Sequence, residues 1–209
     1  MLDCHRFLRT WERLTGKPPP DDLFVALADS YAAPERAYHN AAHILDCLGE
    51  LDACRACAVH PDEIEIALWF HDAVYDSRRA DNEERSAAWA SSALTASGAA
   101  QERVERVVAL VLATKHTEPP GSTDAALLVD IDLSILGREP DVFDRYDFGI
   151  RREYAWVPEQ TYRRERGGIL RRFLARPRLF ATDFFQHRYE APARANLERA
   201  LKRLEGSGA

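Results

Sequence analysis

Long apolar runs are missing from this sequence: no window approaches the 18 uninterrupted apolar residues of a membrane-spanning helix. Nor does any stretch alternate apolar and polar residues for long enough to make a strand, so no sheet is expected. Lysine is scarce, with Lys17, Lys115 and Lys202 the three among 28 basic residues, and the formal net charge is -6. That balance leaves no basic stripe and argues against non-specific nucleic-acid binding. There is no internal repeat and no low-complexity segment. Cysteine occurs at only four positions, 4, 47, 54 and 57. Cys54-Arg-Ala-Cys57 has the CxxC spacing of redox and zinc motifs, but it lacks a second CxxC and any βαβ context. It reads as small, semi-buried helix residues in a reducing compartment. The opening MLDCHRFLRTWERL is amphipathic rather than a charged-then-apolar leader, so the expected location is the cytoplasm and no membrane partner is expected.

What is present is helical periodicity nearly throughout, and the expected fold class is all-α. A first helix covers about residues 3–15 and stops at Gly16, before Pro18-Pro19-Pro20. Asp21 or Asp22 caps a short helix carrying Leu23, Phe24, Leu27 and Tyr31. A third helix is expected from about Tyr38 to Ala58. A fourth starts with Pro61 in its first turn and runs through Ile64, Leu68 and His71 to about Tyr75. Further helices follow over about 82–97 and 101–115, and an apolar one over Ala125–Leu136. Residues 140–205 give three or four amphipathic helices rich in arginine. At 209 residues the chain buries about 70% of its unfolded surface, so folding needs no disulfide or structural metal. The expected organisation is a single domain over 1–209, with a core at about 36–137 and C-terminal helices at about 140–205.

Three patches are polar where the helical pattern predicts packing. In Tyr38-His39-Asn40-Ala41-Ala42-His43 the two histidines are spaced i and i+4, which places both on one helix face. In Trp69-Phe70-His71-Asp72 an adjacent His and Asp interrupt an apolar helix. In Val129-Asp130-Ile131-Asp132-Leu133 two carboxylates lie inside the most apolar helix of the chain, where an unpartnered charge is costly. Each patch has a bland reading alone, as a structural histidine pair, a cap or an arginine partner. A divalent cation satisfies all three together, and imidazole with carboxylate suits Mn, Fe, Co, Ni or Zn, with Mg where oxygen ligands dominate. One or two ions fit, since Asp72 can offer an oxygen to each of two metals. Asp130 and Asp132 are about 200° apart around a helix axis, so only one of them can face a common metal.

The order His43, His71-Asp72 and a distant aspartate resembles the signature of the HD-domain superfamily of metal-dependent phosphohydrolases. Tyr38-His39-Asn40-x-x-His43 is similar to the YHNxxH motif of cyclic-nucleotide phosphodiesterases of the same wider group. Asp132-Leu133-Ser134 is similar to the DLS around their last ligand, which favours Asp132 over Asp130. The chain from about residue 36 onward resembles a bacterial group of predicted HD phosphohydrolases, through Asn82-Glu83-Glu84-x-Ser86-Ala87, Thr114-Lys115-His116-Thr117, Ile150-Arg151-x-Glu153-Tyr154 and Glu190-x-x-Ala193-Arg194-x-Asn196-Leu197. The resemblance implies an all-helical HD bundle with His43, His71, Asp72 and Asp132 as metal ligands. It places His39 as the acid that protonates the leaving oxygen, a role open to a histidine titrating near neutral pH. Asp76 falls at the second acidic position of the HDxxED stretch of guanosine-tetraphosphate hydrolases, whereas Tyr75 replaces the first.

Asp76 or Glu83 is the expected water-orienting residue. Glu83 or Glu84 reads equally as a solvated first-turn pair. Lys115 and His116 are candidates for a substrate phosphate or a second metal, against a helix C-terminus that favours positive charge. Arg151, Tyr154 and Arg194 are candidate pocket residues for an anionic substrate, because the arginine fork bonds two oxygens. The arginine runs at 163–166 and 171–172 read as a solvated face, and Phe180, Phe184 and Phe185 as core. The expected function is hydrolysis of a phosphate ester or anhydride of a nucleotide or similar small metabolite, with a homo-oligomer compatible. The alternatives are an HD-fold di-iron oxygenase and a non-catalytic module that binds metal or nucleotide.

Overall fold

A computed structural model describes residues 2–206. Among them are ten α-helices and two short 3-10 turns, with no strand, so the fold is all-α. No described helix is long and apolar enough to cross a membrane. The chain divides into two compact units, Met1–Ile131 and Asp132–Ala209.

The first unit is built around α4 (Pro61–Phe70), whose residues from Glu63 to Phe70 are all buried. Onto it pack α1 (Cys4–Thr15), α3 (Ala41–Cys54), α5 (Asn82–Ala96) and α6 (Gln101–Ala113). Helix α1 starts where the Asp3 carboxylate accepts from the Arg6 backbone N–H at 3.1 Å. It ends where Gly16 turns left-handed at φ 72° and donates to the Glu12 carbonyl at 2.8 Å. Its buried stripe includes Phe7 and Trp11, which meet the rings of Trp69 at 5.5 Å and Phe70 at 6.3 Å. The short α2 (Leu23–Tyr31) ends in a buried tyrosine whose hydroxyl donates to the Trp69 carbonyl at 3.0 Å.

Two expected helices are shorter than their periodicity implies, and both shortfalls fall at the polar patches. Helix α3 begins at Ala41, not Tyr38, because Asn40 is extended and its side chain caps the Ala42 N–H at 2.9 Å. It gives way to a 3-10 turn at Arg55–Cys57. Helix α4 stops at Phe70 rather than near Tyr75, and His71–Ala73 turn away with the Ala73 N–H on the Phe70 carbonyl at 2.9 Å. The physical reason is a third party: Arg36 donates to the carbonyls of His39, Asp72 and Ala73 at 3.1, 2.6 and 3.0 Å. Helical propensity cannot register such a tertiary cap. Helix α7 (Thr123–Leu133) then runs into the 3-10 turn Ser134–Gly137.

The second unit packs α8 (Pro140–Glu153), α9 (Glu159–Leu174) and α10 (Asp183–Gly206) with that 3-10 turn. Gly137 lies so close to α10 that a Cβ there would fall 2.5 Å from the Tyr189 Cβ and 2.8 Å from its carbonyl oxygen. Asn196 fixes the approach by donating to the carbonyls of Leu136 and Arg138 at 2.9 and 2.8 Å. Phe180 and Phe185 are buried here, as expected of core residues. The arginine run departs from the expected solvated face at Arg166, which is buried and paired with Asp147 at 3.0 Å.

Candidate metal centre

His43 and His71 reach one point from two helix ends. His43 sits in the first turn of α3 and is 4% exposed; His71 closes α4 and is 1% exposed. Their Nε2 atoms are 3.1 Å apart. Asp72 Oδ2 lies 3.0 Å from His71 Nε2 and 3.6 Å from His43 Nε2. Asp132 rides on the last turn of α7. It completes a group in which one donor atom each from His43, His71 and Asp132 lies within 4.8 Å of the others.

The donor set fits a divalent cation on chemical grounds. His71 Nδ1 is 2.9 Å from the Leu68 carbonyl, which can only accept, so Nδ1 carries the hydrogen. In the neutral ring Nε2 then presents a lone pair, aimed at a carboxylate and at another imidazole nitrogen. Electron-rich atoms so arranged require a proton or a cation among them. Metal–nitrogen bonds of about 2.0–2.1 Å put neighbouring ligand atoms roughly 3 Å apart, close to the spacing of the two Nε2 atoms. Where protons rather than a cation lie among these atoms, burial works to raise the Asp72 carboxyl, but the charges of His71, His39 and His43 and the hydrogen bond from His71 outweigh it and hold the group well below the usual carboxylate range.

Asp130, 1% exposed, is not in that group of donor atoms. The rotation of about 200° between the two aspartates keeps them from facing one ion together.

His39 is not on the helix that carries His43. It lies in the turn before the Asn40 cap, so the i, i+4 argument does not hold for it. Its ring is placed instead by aromatic packing, stacked on Tyr75 at 4.2 Å, edge-on to Tyr38 at 5.0 Å and 6.1 Å from the His43 ring. Tyr75, which departs from the acidic pattern, therefore supports the ring of the proposed acid. Asp76 is exposed, and its carboxylate accepts from the Arg78 N–H at 2.9 Å. Its backbone is bracketed by Asn82, through bonds of 3.1 and 3.0 Å. Glu83 lies half-buried in the first turn of α5. On the same helix, Ser86 bonds both the N–H and the carbonyl of Val74, at 3.0 and 3.3 Å. Asn82 and Ser86 thereby hold the chain just past His71-Asp72.

Lys115 pairs with Glu84, and His116 adopts a left-handed φ of 54°. Arg151 donates to the Tyr154 and Val157 carbonyls at 2.7 and 3.4 Å and to Glu159 at 3.1 Å, and it covers the Tyr162 ring at 4.6 Å. Tyr154 stacks on Trp156 at 6.4 Å. Arg194 donates to Glu190 at 2.8 Å and to the carbonyls of Leu174, Arg176 and Pro177 at 3.1, 2.8 and 3.2 Å, closing the end of α9. These two guanidinium groups are thus engaged in holding helix ends of the second unit. Sequence reasoning missed Arg36, Tyr31 and Cys47, whose Sγ is 3.8 Å from both His43 ring nitrogens. The position of Cys47 one turn after His43 was the available signal.

The described residues form an all-helical fold with a His/Asp group, its two histidines buried, that could hold a divalent cation. No family model, no curated protein and no solved structure matches the chain.

Proposed function

We propose that this chain is a metal-dependent phosphohydrolase of the HD type, acting in the cytoplasm on a phosphate ester or anhydride of a nucleotide or similar small metabolite. The observation that carries the reading is the convergence of His43, His71 and Asp132 donor atoms within 4.8 Å, with Asp72 against the same imidazoles. Four cysteines without a disulfide fit a reducing compartment. His43, His71, Asp72 and Asp132 would hold one or two divalent ions, which when bound draw charge from a phosphoryl oxygen and acidify a coordinated water. The Leu68 carbonyl fixes the His71 tautomer, so Nε2 stays available as a donor. His39, held by Tyr75 and Tyr38, gives a proton to the leaving oxygen. Asp76 or Glu83 orients the attacking water.

The test is a metal-reconstituted screen against nucleotides, cyclic nucleotides and sugar phosphates, run without oxygen and paired with elemental analysis. Anaerobic release of phosphate or pyrophosphate, or conversion of a cyclic nucleotide to the monophosphate, separates hydrolysis from oxygen-dependent chemistry. Asp72→Ala should lose both metal and activity. His39→Ala should keep its metal while turnover falls by roughly 10²–10⁴-fold. Full activity in Asp72→Ala would reject the reading.

A further inference from the structure

Arg36 is 7% exposed, and among the described residues its guanidinium hydrogen-bonds to no carboxylate. A buried cation normally has an anionic partner, because desolvating it is costly. Here the positive charge is met by three main-chain carbonyls and two aromatic faces. Nη1 bridges the carbonyls of His39 and Asp72, and Nη2 takes that of Ala73. The guanidinium carbon lies 5.2 Å from the Tyr31 ring centre and 5.6 Å from that of Tyr75, the ring on which His39 stacks.

Those carbonyls belong to two separate turns. One precedes α3 and carries His39; the other follows α4 and carries Asp72. Each is tied to its own surroundings by neutral bonds: Asn40 donates to the Arg36 and Ala37 carbonyls at 3.2 Å each, and Ser86 and Asn82 hold Val74 and Asp76. Arg36 joins one turn to the other, and does so with a planar fork that an ammonium group cannot reproduce.

We infer that Arg36 is a positioning residue: it sets the separation between the His39 turn and the Asp72 turn, and so holds proton donor and anionic ligand in one register. What is positioned rests on the proposed function; the positioning itself rests on the three carbonyl bonds. Loss of the fork frees both turns together, because one side chain is common to them. Cation affinity falls as the Asp72 turn drifts, even though Arg36 touches no ligand atom.

The experiment compares wild type with Arg36→Gln and Arg36→Ala by hydrogen exchange and by Mn²⁺ titration followed by electron paramagnetic resonance. Exchange should rise in 38–43 and 71–76 together in both variants and stay unchanged in α8–α10. Mn²⁺ affinity should fall by about 10–100-fold, the usual effect of losing an outer support of a metal site. Methylguanidine should restore part of the affinity of Arg36→Ala, which it would not do for a variant that is merely unstable. Arg36→Lys should recover little, because one ammonium cannot span three carbonyls. Should the Gln and Ala variants fail to fold, Arg36→Lys carries the same two readouts. Unchanged exchange in either turn, or Mn²⁺ affinity equal to wild type, overturns the inference. If wild type takes up no Mn²⁺, the cation reading fails by itself; joint loosening of the turns still upholds Arg36 as their link, and its absence removes that too.

Discussion

At the start of α4, Glu63 receives two bonds of 2.7 Å from Arg106, and Glu65 lies among Arg6 at 2.9 Å, Arg55 at 2.8 Å and the Thr10 hydroxyl at 2.8 Å. At the end of the same helix, Asp72 faces the imidazoles of His71 and His43. Both ends set carboxylates among basic side chains, but only the first gives them permanently charged partners with no lone pair to offer. An arginine fixes a fold and cannot ligate a metal; a histidine can release its proton and bind one. Nearly all the basic residues of this chain are arginines, yet imidazoles surround Asp72. That division separates structural charge from chemical charge along about three turns of helix.

The comparison breaks most visibly at Glu65. Glu65→Ala removes the buried acceptor shared by Arg6, Arg55 and Thr10, while Arg6 keeps Asp52 and Arg55 keeps Asp62, and should cost about 1.5–3 kcal/mol in denaturant unfolding. Metal affinity of the folded fraction should be unchanged, since the damage is confined to the arginine-paired end. A smaller effect is expected at Asn40, whose side chain caps α3 beside His43. Asn40→Ala should cost about 1 kcal/mol in the same measurement and, unlike Glu65→Ala, should also weaken metal uptake. The smallest effect at neutral pH belongs to Cys54. Burial, followed by the charges of Cys57 and Glu50, pushes its thiol up to about 12 from 9.0. The unfolded chain releases this proton first, so the contribution is fully present below pH 9 and is lost as pH rises toward 12. Cys54→Ala should flatten the alkaline fall in stability and leave the pH 7 value insensitive to pH.

Most helices were legible because their periodicity and punctuation agree. The helix ending at Gly16 and that running to Ala96 before Gly98 have the expected limits within one or two residues. The ends of α3 and α4 were not legible, since their stop signals are the Asn40 side chain and a guanidinium from Arg36. Three of the four expected ligands, His43, His71 and Asp132, fall into one group of donor atoms, and Asp72 lies against both imidazoles. Polar patches on apolar helices announce that a common partner is needed, whereas the choice of Asp132 over Asp130 comes from the resemblance to the HD-domain pattern. His39 reached the neighbourhood by aromatic packing, which spacing cannot encode. Composition likewise cannot separate an arginine holding carbonyls, as Arg194 does, from one facing solvent.

The tight closure of α4 also makes the core an optical gauge. Trp11 and Trp69 are fully buried, and neither indole N–H has an acceptor among the described residues, whereas Trp156 is 48% exposed. Dry indoles emit at short wavelength, so the native spectrum carries a blue component that unfolding should shift to the red. Trp69 is two residues from His71, and its carbonyl receives the Tyr31 hydroxyl. An open-shell ion arriving between the imidazoles should dim the Trp69 ring, so occupancy can be followed by light without any substrate in hand.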